Sequence, residues 1–124
     1  MYGLPPDVDL SFFVDTQVTL VSFGWHFVGV EFIGNPYDPH SSISIEGAYS
    51  LQLPEGDKHT WHDNLRQGAA YLVAIVALRV ASAVGTPNGT LTLTFKGGGV
   101  LEVHDSEKHY ESYQIRYGDK IIVV

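Results

Sequence analysis

The chain has 124 residues, 44% hydrophobic and 17% charged, with no cysteine and six prolines; this suits one domain of about 100–150 residues and excludes disordered, collagen-like and coiled-coil classes. The missing thiols exclude disulfides, thiolate metal centres and cysteine nucleophiles. The net charge of −7 is uneven: residues 1–57 hold eight acids and no lysine or arginine, which argues against a nucleic-acid polymer as partner, since such binding needs clustered basic side chains.

In chain order, the opening Met1–Pro6 has neither a basic n-region nor an apolar h-region, so it does not read as a secretory signal and a cytoplasmic protein is expected. Alternation of apolar and other residues at period two predicts strands near 17–24, 26–33 and 42–53. The loop Gly34–Ser41, carrying Tyr37, Asp38 and His40, separates the second from the third. A linker, Pro54–His62, follows. A helix is expected near 63–76, with Asp63 or Asn64 as N-cap and Leu65, Ala69, Leu72 and Val76 at helical spacing. Gly68 weakens it by about 1 kcal/mol. The longest apolar run, Ala69–Leu78, has ten residues, against about 20 for a membrane span. Further strands are predicted near 78–85, 90–96, 99–104, 110–117 and 120–124. Turns fall at Thr86–Gly89, Gly97–Gly99 and Tyr117–Asp119, where Asn-Gly and Gly supply positive φ. The fold class expected is α+β, a mainly antiparallel meander with one main helix.

A faint internal repeat underlies this order. Leu10–Val18 overlays Leu72–Val80, Val28–Phe32 overlays Leu91–Phe95, Ile43–Ile45 overlays Leu101–Val103, and Ala48–Leu51 lies near His109–Ser112. The reading is a diverged αβββ-type duplication, with pseudo-repeats at about 10–53 and 72–124 within a single domain 1–124, although any two amphipathic meanders share part of such a pattern.

No catalytic signature accompanies these elements. His59 and His62, with Asp57 nearby, are the densest histidine patch, but their spacing matches no zinc motif, and no Gly-x-Ser-x-Gly elbow exists. Lys96-Gly97-Gly98-Gly99 could offer amides and an ammonium to a phosphate, yet it stands between two strands as a hairpin turn. The candidate ligand-binding residues are therefore those of the two loops and this turn: Tyr37, His40, Lys58, His59, Trp61, His62 and Lys96. Trp61 among polar neighbours suits stacking or interface anchoring, or else plugs the end of the core. Glu46, Glu102 and Glu111 read as solvated positions on strands.

Gly3-Leu4-Pro5-Pro6, Phe12-Phe13-Val14, Ile43-Ser44-Ile45-Glu46-Gly47, Val80–Ala83, Gly89–Phe95 and Tyr110–Ile115 together resemble an uncharacterised family of small bacterial and phage domains. The resemblance implies a context, immunity against toxins or blunting of host defence, and brings no catalytic residues with it. The function expected is a non-enzymatic binding or sequestering module, without cofactor or metal. It would bind a small ligand, such as a nucleotide immune signal, or a partner protein. An acidic immunity protein that neutralises a toxin and a small metal-dependent hydrolase using His59 and His62 are the alternatives. The aromatic crowding of Phe12, Phe13, Trp25, Phe27 and Phe32, with Val28 and Val30 expected on an opposite face, points to a homo-oligomer.

Overall fold

A computed structural model of the chain describes residues 3–34 and 38–124. Ten strands form two five-stranded antiparallel sheets: β1 (Gln17–Phe23), β2 (Val28–Ile33), β3 (Ser41–Ile45), β4 (Tyr49–Gln52), β5 (Lys58–Trp61), β6 (Val80–Gly85), β7 (Leu91–Phe95), β8 (Val100–Val103), β9 (Tyr113–Tyr117) and β10 (Lys120–Val123). One sheet runs β1-β2-β3-β9-β10 and the other β5-β4-β8-β7-β6. Each sheet thus joins a three-strand meander from one half of the chain to the two-strand hairpin of the other. The architecture is β-rich, with one short α-helix.

Period-two alternation sends one face of each inner strand into a shared core: Val28, Val30 and Phe32; Ile43 and Ile45; Leu91, Leu93 and Phe95; Leu101 and Val103; Tyr113 and Ile115. Val28, Val30 and Phe32 therefore share one inward face with Phe13 behind them, and the opposite-face position expected for the two valines is corrected. Glu31, Ser42, Ser44, Thr92 and Thr94 alternate with these residues on the other faces.

Three expectations from the sequence need correction. The predicted strand 42–53 is two strands in different sheets, because Glu46–Ala48 hands the chain from β3 to β4. The linker Pro54–His62 contains β5, which holds the same place in its sheet as β10 in the other. It is therefore part strand and not a plain linker, and residues 109–112 lie outside any strand. Finally, the helix 63–76 is a broken segment: a 3₁₀ turn at Leu65–Gly68, the α-helix α1 at Ala69–Leu72, and a second 3₁₀ turn at Val73–Ile75.

The break has a packing cause. The Tyr49 hydroxyl donates to the Leu65 carbonyl, while the Ala69 amide turns to Arg66 instead, the tighter 3₁₀ pattern. A Cβ at Gly68 would run into the Tyr49 hydroxyl, so glycine lets the segment lie against β4. Asn64 makes no side-chain cap, and Leu65, Leu72 and Ile75 point into the core while Val76 is exposed.

The sheets also meet where β1 and β6 begin. Gln17 and Arg79 form an isolated antiparallel bridge, and the bonds around it are reciprocal. The Val18 amide donates to Leu78 and the Val80 amide to Thr16; the Asp15 amide donates to Val80 and the Ala77 amide to Val18. Asp15 and Ala77 both hold positive φ, 66° and 76°, and each following strand carries a bulge, between Val18 and Leu20 and between Val80 and Ser82.

Candidate functional site

Four turns converge on a cleft of about 630 Å³. The β1–β2 hairpin tip contributes Trp25 and His26, the β3–β4 turn Glu46, the segment after β5 His62, Asp63 and Arg66, and the loop after β8 Glu107 and Tyr110. No helix among the described residues is long and apolar enough to cross a membrane.

Backbone bonding sets Glu46. The amides of Glu46 and Gly47 both donate to the Ser112 carbonyl, at 2.9 and 2.7 Å, and the Ala48 amide to Ser106 Oγ at 2.9 Å. A Cβ on Gly47 would lie 2.6 Å from Ser106 Oγ, so a side chain there would displace the hydroxyl that accepts from the Ala48 amide. The Ser112 hydroxyl donates to Asp105 and accepts from the Glu107 amide, each at 3.0 Å, which fixes the loop that presents Glu107. Burial pushes the Glu46 carboxyl up, Glu111 adds to this and His26 opposes it. The Tyr110 hydroxyl bonds Glu107, and that bond raises its pKa.

The remaining groups are held loosely. Trp25 is 78% exposed, with its ring centroid 3.8 Å from that of His26. His62 lies between two carboxylates, Nδ1 3.6 Å from Asp63 and Nε2 3.7 Å from Glu107. The cleft therefore combines carboxylates at Glu46, Asp63 and Glu107, a single guanidinium at Arg66, histidines at 26 and 62, and aromatic walls.

Of the residues expected from sequence that the structure describes, only His62 lines this cleft. Lys58, His59 and Trp61 lie on β5, just before His62, and serve other contacts. Lys58 pairs with Glu102 at 2.7 Å. The His59 ring lies tilted against Tyr71, centroids 4.7 Å apart, and Trp61 packs on Tyr49 at 5.1 Å and Tyr71 at 5.3 Å, against the core. Lys96 is bound to Asp15 at 2.6 Å, just past the end of β7, with two strands between β7 and β5. His40 is exposed before β3, its carbonyl accepting from Gly118, and Tyr37 lies outside the described residues. His59 and His62 face different neighbours, and the described residues contain no group of three His, Asp or Glu side chains placed to hold a metal ion.

Sequence reading missed His26, Glu46, Glu107 and Tyr110 as site residues, weighed Trp25 only as part of an association surface, and considered Arg66 only as a cation that a nucleotide pocket would need. The available signal was Phe23-Gly24-Trp25-His26-Phe27, an aromatic cluster around a glycine between two strands. A second groove, of about 500 Å³, lies beside β10 over Phe12, Ile115, Tyr117 and Ile122, and none of the expected residues that the structure describes lines it. On the outer face of the second sheet, Ser50 Oγ bonds Thr60 and His104 Nε2, at 2.9 and 3.0 Å. Burial holds the His104 pKa down despite Glu102, but Ser50 is 1% exposed and its hydroxyl is closed to solvent. Comparison of the chain with protein-family models, curated proteins and solved structures finds no match.

Proposed function

We propose that the protein is a non-enzymatic binding module that seats a basic segment of a partner protein in the cleft between Trp25 and Glu107. One observation carries this reading: the carboxylates of Glu46, Asp63 and Glu107 line the cleft with a single guanidinium, beside an indole face open to solvent. A lysine or arginine side chain gains from both, the cation–π contact contributing about 0.5–2 kcal/mol and the carboxylates adding a salt-sensitive attraction. A nucleotide is less well served. Lys58 and Lys96 are engaged with Glu102 and Asp15, which leaves Arg66 to face the phosphates among three acids. A metal-dependent hydrolase finds less support still, since His59 and His62 serve separate contacts. An immunity or anti-defence role agrees with an acidic module that covers a basic protein surface.

The experiment is calorimetric titration with a glycine–arginine peptide, using a glycine–glutamate peptide and ATP as anionic probes. The basic peptide is expected to bind, and to weaken steeply between about 0.05 and 0.3 M salt. Saturable binding of ATP with none of the basic peptide would overturn the reading.

The fold itself supports a fused duplication whose hairpins are exchanged between sheets. Leu10 and Leu72, Phe13 and Ile75, and Val18 and Val80 stand at one constant spacing and are all buried. The reciprocal bonds about Gln17 and Arg79 obey the same spacing. Self-association is proposed at β10, whose outer edge pairs with no described strand and whose Ile121 and Val123 are exposed. Light scattering at the monomer mass of 13.6 kDa would remove that proposal.

A further inference from the structure

Resting on the binding reading above, we infer that His62 is an internal competitor for the cleft, a pH-gated contact that releases a basic occupant on acidification. The geometry is that of a ring held just outside hydrogen-bonding distance of two acids, 3.6 Å from Asp63 at Nδ1 and 3.7 Å from Glu107 at Nε2. A neutral imidazole donates from one nitrogen only, and a protonated one donates from both. Protonation therefore lets His62 tie Asp63 and Glu107 at once, and these are two of the three carboxylates that a basic side chain would use. Both ring and cleft remain accessible, since the His62 side chain is 55% exposed.

The charged and titratable groups around it come from every neighbouring turn. Asp63 follows it in the chain, Arg66 faces it from the 3₁₀ turn, and Glu107 and Tyr110 from the loop after β8. Glu46 comes from the β3–β4 turn and His26 from the β1–β2 hairpin. Arg66 is already charged across the working range and cannot switch. Histidine is the side chain that ordinarily changes charge between about pH 5 and 8. His26 sits against Trp25 and acts on one carboxylate, Glu46, whereas His62 is the histidine that bridges two acids among the described residues.

The test is the affinity of the glycine–arginine peptide at about pH 7.5 and about pH 5.5, for the parent and for His62→Gln and His26→Gln. The parent is expected to lose about tenfold in affinity on acidification, as one added charge in a partly exposed site would cause. His62→Gln should lose no more than about threefold and His26→Gln about as much as the parent. An equal fall in His62→Gln, or a fall abolished by His26→Gln instead, would overturn the switch and leave the binding reading standing. Absence of peptide binding at both pH values in the parent would overturn both.

Discussion

Tyr49 and Tyr113 occupy matching places in the two sheets. Each opens the strand that crosses beside the other half's meander, Tyr49 opposite Val103 and Tyr113 opposite Ile45. Each is fully buried and donates its hydroxyl to a distant backbone carbonyl, of Leu65 and of Gly89 respectively. A buried carbonyl that loses its partner costs about 1–3 kcal/mol. Tyr113→Phe leaves the buried Gly89 carbonyl in that state, so its Tm should fall by about 4 °C for each kcal/mol lost. Differential scanning calorimetry checks this, and an unchanged Tm would mean that the Gly89 carbonyl finds another partner.

The same burial makes stability sensitive to alkali. It raises both phenols well above their ordinary value, chiefly by desolvation, with Asp105 adding to the effect at Tyr113. A group whose folded-state pKa is raised contributes its stability fully below the unfolded value, about 10 for tyrosine, and loses it as pH rises further. Thermal stability should therefore hold to about pH 9 and fall above about pH 10. In the Tyr49→Phe, Tyr113→Phe double variant the starting stability is lower, and the fall above about pH 10 should be visibly shallower. Melting curves followed by circular dichroism at each pH decide the point.

The strands were legible because period-two alternation survives in nearly all of them, as in Leu91, Leu93 and Phe95. The β3–β4 join was not. Ile43, Ile45, Tyr49 and Leu51 keep one parity across the turn, so the pattern reads straight through a change of sheet, and Gly47 was the sole punctuation. β5 was hidden because its exposed residues, Lys58, His59 and Thr60, show no apolar alternation. The helix was overextended for a different reason. Tertiary contacts at Leu65 and Gly68 override helical spacing, and a bond to Tyr49, sixteen residues away, has no local trace. The cleft shared that fate: its residues come from four turns distant in sequence, His62 alone fell among the expected ligand-binding residues, and Trp25 stood out only as part of an aromatic crowd.

Ala77 offers a stabilising substitution. Its φ of 76° lies in the left-handed region, which costs an L-residue about 1–2 kcal/mol and glycine almost nothing. The side chain is exposed, so removing its methyl group sacrifices no core packing. The amide keeps its 2.8 Å bond to Val18. Ala77→Gly should gain about 0.5–1 kcal/mol once the greater freedom of glycine in the unfolded chain is set against the relief. That corresponds to a Tm rise of about 2–4 °C, and a lower Tm would show that the methyl packs after all.

The two tryptophans separate stability from binding. Trp61 packs against Tyr49 and Tyr71 at the margin of the core, and truncating a large buried aromatic costs about 3–5 kcal/mol. Since part of its surface is exposed, Trp61→Ala should lose about 2–4 kcal/mol, a Tm drop of about 10 °C or more. Trp25 has 78% of its surface in solvent, with His26 against its ring, so Trp25→Ala should leave the Tm within about 2 °C of the parent. Binding should divide the other way. Loss of the indole wall is expected to weaken the glycine–arginine peptide by about 1 kcal/mol or more, roughly five- to tenfold in Kd. Trp61→Ala, assayed well below its Tm, should stay within about twofold of the parent. If Trp25→Ala retained full affinity while Trp61→Ala lost it, the contact surface would be the face of β5, as composition alone suggested, and the cleft would be no more than the gap between four turns.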